Sequence, residues 1–159
     1  MAHNPWNITP GLNNVGSFQV SGRPYATGSC VAYASGSNSL VVRFPYVTKW
    51  VMIQPQHDMA HNRSVRVAFS ENGLHGKGAS TPAGGYNFNV NISSSFCSPL
   101  DLKVSELWFM SNDASTYTFD VVAGLTSLPA SRVSIPDDRA VDGTVEAAGP
   151  NWTGSLGVG

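Results

Sequence analysis

Between Tyr86 and Ile92 every second residue is large and apolar, and every residue between is asparagine: Tyr86, Phe88, Val90 and Ile92 alternate with Asn87, Asn89 and Asn91. Side chains along a strand point to opposite faces with period two, whereas a helix would spread these seven residues around its circumference. The segment is therefore expected to be a strand, with one face in a core and the other toward water or a polar partner. Asparagine is a poor strand former, so local propensity does not choose this conformation. Burial does, at about 1.5–3 kcal/mol for each large apolar side chain before the entropy of ordering is subtracted.

The same alternation recurs along the chain. Leu40, Val42 and Phe44 are expected to face inward, as are Val65, Val67 and Phe69 in 64–70 and Tyr117, Phe119 and Val121 in 116–123. In 47–54, Val47, Val51 and Ile53 share one face, and Trp50 and Met52 the other. The run 102–110 is apolar on both faces: Val104, Trp108 and Met110 lie with Glu106, and Leu107 and Phe109 lie opposite. That pattern suits a central strand or a subunit contact. Residues 15–20 and 24–27 read as short edge elements, and 29–35 alternates only weakly. No stretch has the period of an amphipathic helix. About seven to nine short strands separated by turn chemistry predict an all-β fold, a jelly-roll-like antiparallel β-sandwich over residues 15–125.

Both ends fall outside that pattern. Residues 1–14 carry Pro5, Pro10 and Trp6 without periodicity, and are expected as an extended N-terminal arm. From Gly124 onward the alternation breaks; residues 126–159, with Pro129, Pro136, Pro150 and many glycines, are expected as an extended C-terminal arm. Such segments gain order from a neighbouring chain. The glycine-rich stretch 71–85 is expected as a contact-making loop. A large aromatic on an arm is a good anchor for a partner's pocket. The predicted protein-interface residues are Trp6, Gly73, Leu74, His75, Trp152 and Leu156.

Composition narrows the function. Charged residues are only 12% of the chain, about half the usual share, and the net charge is −1. Nothing is basic enough to grip phosphates, so nucleic acid is not an expected partner. No apolar run reaches the roughly 18–20 residues of a membrane span. The opening Met1-Ala2-His3-Asn4-Pro5-Trp6 lacks a basic region followed by an apolar run, so no secretory signal is expected. Cys30 and Cys97 could pair, but in a cytosolic product they are expected as free, buried thiols. The N-x-S/T triplets at Asn7, Asn62, Asn91 and Asn151 are then read as unmodified.

Reactive constellations are weak. His57 and His61 stand four apart in a polar loop, not on a helix that would aim both at one metal. The run 137–143 has acidic residues without the spacing of a calcium loop. No nucleophile elbow and no phosphate-binding glycine motif occurs. Glu106 and Asp120 are a candidate carboxylate pair across neighbouring strands for glycoside chemistry, and solvent-facing strand positions explain them equally well. No catalytic residue, cofactor or metal is predicted. Trp50, Trp108 and Tyr46 are candidate stacking surfaces for sugar rings, and half-buried strand aromatics are the plainer account of them.

The opening Trp6-Asn7-Ile8-Thr9-Pro10-Gly11-Leu12 through Gly22-Arg23-Pro24-Tyr25, the segment Leu102-Lys103-Val104-Ser105-Glu106-Leu107-Trp108-Phe109, the run Asp120-Val121-Val122-Ala123-Gly124-Leu125-Thr126 and the closing Gly149-Pro150-Asn151-Trp152-Thr153-Gly154 together resemble small virion structural proteins of tailed bacteriophages, notably those of cyanobacterial and marine hosts. The resemblance covers roughly half of the chain. It implies a non-enzymatic, β-rich component of head, neck or tail, assembled in the host cytoplasm. The leading expectation is a capsid decoration, or cement, protein: a homo-oligomer, as a trimer, on the phage major capsid protein at the head surface of the virion. The alternatives are a neck, tail or fibre protein, or a carbohydrate-binding host-recognition module.

Overall fold

The computed structural model describes residues 15–19, 22–36, 38–56, 64–75, 87–91 and 98–132. Among the described residues seven strands carry the fold: β1 (Arg23–Ala32), β2 (Leu40–Arg43), β3 (Tyr46–Pro55), β4 (Ser64–Ala68), β5 (Asn87–Asn91), β6 (Glu106–Ser111) and β7 (Tyr117–Pro129). They form two antiparallel sheets, ordered β1-β7-β3 and β2-β6-β4-β5. The all-β expectation holds. Two helices of five residues each, α1 (Val15–Gln19) and α2 (Glu71–His75), and a 3₁₀ turn at Ala130–Arg132 complete the described residues.

One apolar cluster joins the inner faces of the two sheets. Cys30, Ala32, Val51, Ile53, Phe119, Val121 and Ala123 come from the three-stranded sheet; Val42, Val65, Val67, Leu107 and Phe109 come from the four-stranded one. Phe109 of β6 and Phe119 of β7 meet across the interface with ring centroids 4.8 Å apart. The inward residues expected of β2, β4 and β7 are where the alternation places them, and β6, apolar on both faces, is an internal strand of its sheet.

Successive strands pair by doubling the chain back on itself. The first pairs with the last, β1 with β7; then β2 with β6; and β4 with β5 at the fold of the hairpin. Between these, β3 meets the segment that precedes β6. Val51 and Leu100 exchange two backbone hydrogen bonds, of 2.9 and 2.7 Å, and the Thr48 N–H donates to the Val104 carbonyl. The buried Thr48 hydroxyl reinforces this edge by donating to the Leu102 carbonyl at 2.6 Å, and its oxygen accepts from the Val104 N–H.

Several expectations are corrected. The stretch at Val15–Gln19 is helical, not an edge strand. It is not a freestanding helix: Phe18 packs with Val47 and Leu128 in a small second cluster. The pattern does not break at Gly124. Strand β7 continues to Pro129, with Thr126 and Leu128 fully inside, so 126–132 belongs to the folded body. The element at 24–27 and the first part of the weakly alternating 29–35 are one strand, which ends at Ala32. A bulge between Thr27 and Cys30 inserts a residue, so both side chains face β7 partners on the inner side, Val121 and Phe119. An odd insertion flips the parity of every later side chain, which is why strict alternation missed it. The stretch beginning at Glu71 opens as helix α2, not as loop.

Candidate functional site

Strand β1 is bent at its bulge, and the bend is locked from β7. Ser29 has φ of +56°, a left-handed conformation costing about 1–2 kcal/mol for a residue with a side chain. Its N–H donates to Asp120 Oδ1 at 2.9 Å, and Gln56 Nε2 donates to the same oxygen at 2.7 Å and to Ser29 Oγ at 3.0 Å. Gly28 lies against Asp120, with an added Cβ falling 3.2 Å from Oδ1. Beside the bulge, an open groove of about 340 Å³ runs between the edges of β1 and β2, past Tyr25, Cys30, Tyr33 and Leu40. Cys30 is a buried, free thiol. Burial raises its pKa, and the Asp120 carboxylate adds to the effect against a hydrogen bond with Thr27 that lowers it. Cys30 packs in the core between the two sheets.

The outer face of the three-stranded sheet is apolar along two successive rows. Trp50, Gly124 and Pro24 stand side by side on β3, β7 and β1; Met52, Val122 and Ala26 form the next row. Pro24 and Ala26 are exposed, and Trp50, Met52 and Val122 are half-buried. None of these residues joins a core cluster. The indole lies directly on Gly124: a Cβ there would sit 2.7 Å from Trp50 Cε2 and closer still to its Nε1. Only glycine leaves room for a flat ring at that position. The third row turns polar, with Gln54 opposite Asp120. Among the described residues no acceptor meets the Trp50 N–H, and Asp120 Oδ2 receives no hydrogen bond.

The outer face of the four-stranded sheet is finished differently. Trp108 Nε1 donates to Glu106 Oε1 at 3.0 Å, and Glu106 Oε2 accepts from Arg43 Nε at 3.1 Å. Leu74 of α2 is fully buried against Ala68 and Met110, with Trp108 packed at its side. Asn87 holds α2 down by donating to the Gly73 and Leu74 carbonyls, at 3.1 and 3.4 Å.

These placements sort the sequence candidates. Gly73 and Leu74 are buried and His75 is half-buried, so the Leu74 side chain is core, not an offered contact. Trp6, Trp152 and Leu156 lie outside the described residues, as do His57, His61, Cys97, the acidic run 137–143, most of the loop and both arms from 1–14 and from 133 on. Glu106 and Asp120 are not a pair: they stand on the outer faces of different sheets, with the core between them. Among the described residues no three His, Cys, Asp or Glu side chains gather to hold a metal, and no helix is long and apolar enough to cross a membrane. Sequence reasoning put Trp50 and Met52 on one face but missed Val122 and Gly124 as their neighbours, because cross-strand register is invisible in a single strand. It also missed the Ser29–Gln56–Asp120 lock, for which Gly28-Ser29 was the one local signal.

No protein-family model matches this chain, and no curated protein matches its sequence.

Proposed function

We propose that this chain is a non-enzymatic structural protein of a tailed-phage virion, and specifically a capsid decoration protein that binds the head shell as a homo-oligomer, a trimer. The observation that carries this reading is the pairing order. A ribbon doubled back so that β1 meets β7, β2 meets β6, β3 meets the Leu100 segment and β4 meets β5, then wound into two sheets, supports reading the fold as a jelly roll. Jelly rolls recur in viral capsid and lectin domains. Fold alone does not assign function; the low charge of the chain and its resemblance to phage virion proteins favour the virion over other hosts of the fold. The charged groups support a rigid binding body: Arg43 and Glu106 pair, Arg66 holds Asn112, Asp113 caps a turn and Asp120 locks a bulge. Terminal arms, residues 1–14 and 133–159, would reach adjacent capsid subunits, with Trp6, Trp152 and Leu156 as anchors.

The test is reconstitution on undecorated phage heads. Full-length protein is expected to cosediment with the shells, and a variant lacking residues 141–159 to attach more weakly while keeping the melting behaviour of the intact chain. Equal attachment of the truncated variant removes the arm from the mechanism. No attachment of the full chain to heads, with labelled protein found at the neck or tail, moves the assignment within the particle.

A further inference from the structure

We infer that the outer face of the three-stranded sheet is a carbohydrate-binding platform for a short, neutral, equatorially linked oligosaccharide, with Trp50 as its stacking ring. This goes beyond a decoration role and does not depend on it.

The argument starts from what Gly124 makes possible. An indole laid flat on a sheet keeps one face against backbone and offers the other outward. The C–H face of a pyranose stacks on such a ring, since the aromatic face carries negative charge and the sugar hydrogens are weakly positive. Met52 and Val122 carry the apolar surface on by one row, and Gln54 and Asp120 then supply polar groups. From Gly124 to Asp120 is four residues of β7, about 13 Å by strand rise, the reach of a short oligosaccharide. Asp120 Oδ1 is occupied by Ser29 and Gln56. Its second oxygen is left to accept from a sugar hydroxyl, and the Gln54 amide can both donate and accept. The Trp50 N–H, which meets no acceptor among the described residues, offers a donor beside the ring. A fixed carboxylate disfavours sialic acids and uronates, so the ligand is neutral.

Size separates this occupant from a protein partner. Three strands about 4.8 Å apart and about five residues long present roughly 200 Å², while a stable protein interface covers about 800 Å² on each side. The platform is too small to hold a second copy by itself, and fits a few sugar rings. The Ser29 strain has a place here too: the bulge puts Gly28 opposite Asp120, where a side chain would crowd the carboxylate.

The experiment follows the tryptophan indole N–H signals of full-length protein by NMR during titration with cellotriose, chitotriose and, as the acidic control, a trigalacturonate. Signals are assigned with single Trp→Phe variants. The expected result is saturable movement of the Trp50 signal with a neutral trisaccharide, a still Trp108 signal and no response to the acidic one. Trp50→Ala should weaken binding about ten-fold or more, and Trp108→Ala should leave it within about two-fold. If Trp50→Ala does not fold, the wild-type signals still decide. No saturable shift with either neutral sugar overturns the proposal. So does a shift at Trp108 alone, or movement of Trp50 that follows protein concentration instead of sugar, which would make this face a self-association surface.

Discussion

The two outer faces of this molecule each carry a tryptophan, Trp108 on the internal strand β6 and Trp50 on β3 at the side of its sheet, and they are finished in opposite ways. On the four-stranded sheet, Trp108 is tied to Glu106 and shouldered by Leu74, which α2 lowers onto Ala68 and Met110. On the three-stranded sheet, Trp50 rests on a glycine beside Met52 and Val122, and none of these residues enters a core cluster. A short helix converts one face into a second, small core. On the other face no described element does this. The contrast separates an apolar outer row that a helix covers from one that no described element covers.

The largest test of the contrast is stability. Leu74→Ala should cost about 2–5 kcal/mol in denaturant unfolding, the range for a fully buried leucine, and should free α2 from the sheet. Trp50→Ala should cost no more than about 1 kcal/mol, because the ring lies outside the core. Equal losses would mean that the two faces are both core and that the distinction is empty. The next test is steric. Gly124→Ala drives a methyl group into the indole and should cost about 1–3 kcal/mol, most of it recovered when Trp50→Ala is also present. Additive effects would show that the ring does not depend on the glycine. A smaller effect is optical: Trp50→Phe should remove more of the iodide-quenchable tryptophan emission than Trp108→Phe does.

The smallest effect belongs to the turn between β6 and β7, which joins the two sheets. Asp113 has a pKa below its ordinary value, held down first by the Tyr117 hydroxyl and then by the Ser115 N–H. A carboxylate whose folded pKa is depressed stabilises the fold above its unfolded pKa, about 3.8, and that contribution is lost as pH falls through the lower folded value. Acid should therefore weaken the protein from about pH 4 downward, less steeply in Asp113→Asn. Because the turn is shared, Trp50 and Trp108 emission should change together in that limb; separate transitions would mean that the two sheets unfold independently.

Much of the body was legible residue by residue. Phe88 and Val90 turn toward the core and Asn89 and Asn91 away from it, as their alternation requires. Val65, Val67, Phe119 and Val121 are equally plain. Misreadings gathered where the backbone departs from period two or where a distant segment supplies the cover. The Thr27–Cys30 bulge hid the continuity of β1. Thr126 and Leu128 looked like a tail because their environment is built by Val47 and Phe18 from far along the chain. Leu74 sat among glycines and polar residues, and nothing local marks a leucine that a five-residue helix will bury.

What the amino-acid order determined by itself is which side chains share a face, since that follows from local backbone geometry and holds wherever the strand ends up. Which faces meet, which tryptophan packs beside Leu74 and which rests on Gly124 were decided only by tertiary pairing. Register and bulges are set by contacts between residues remote in sequence, and a single strand carries no record of its neighbour.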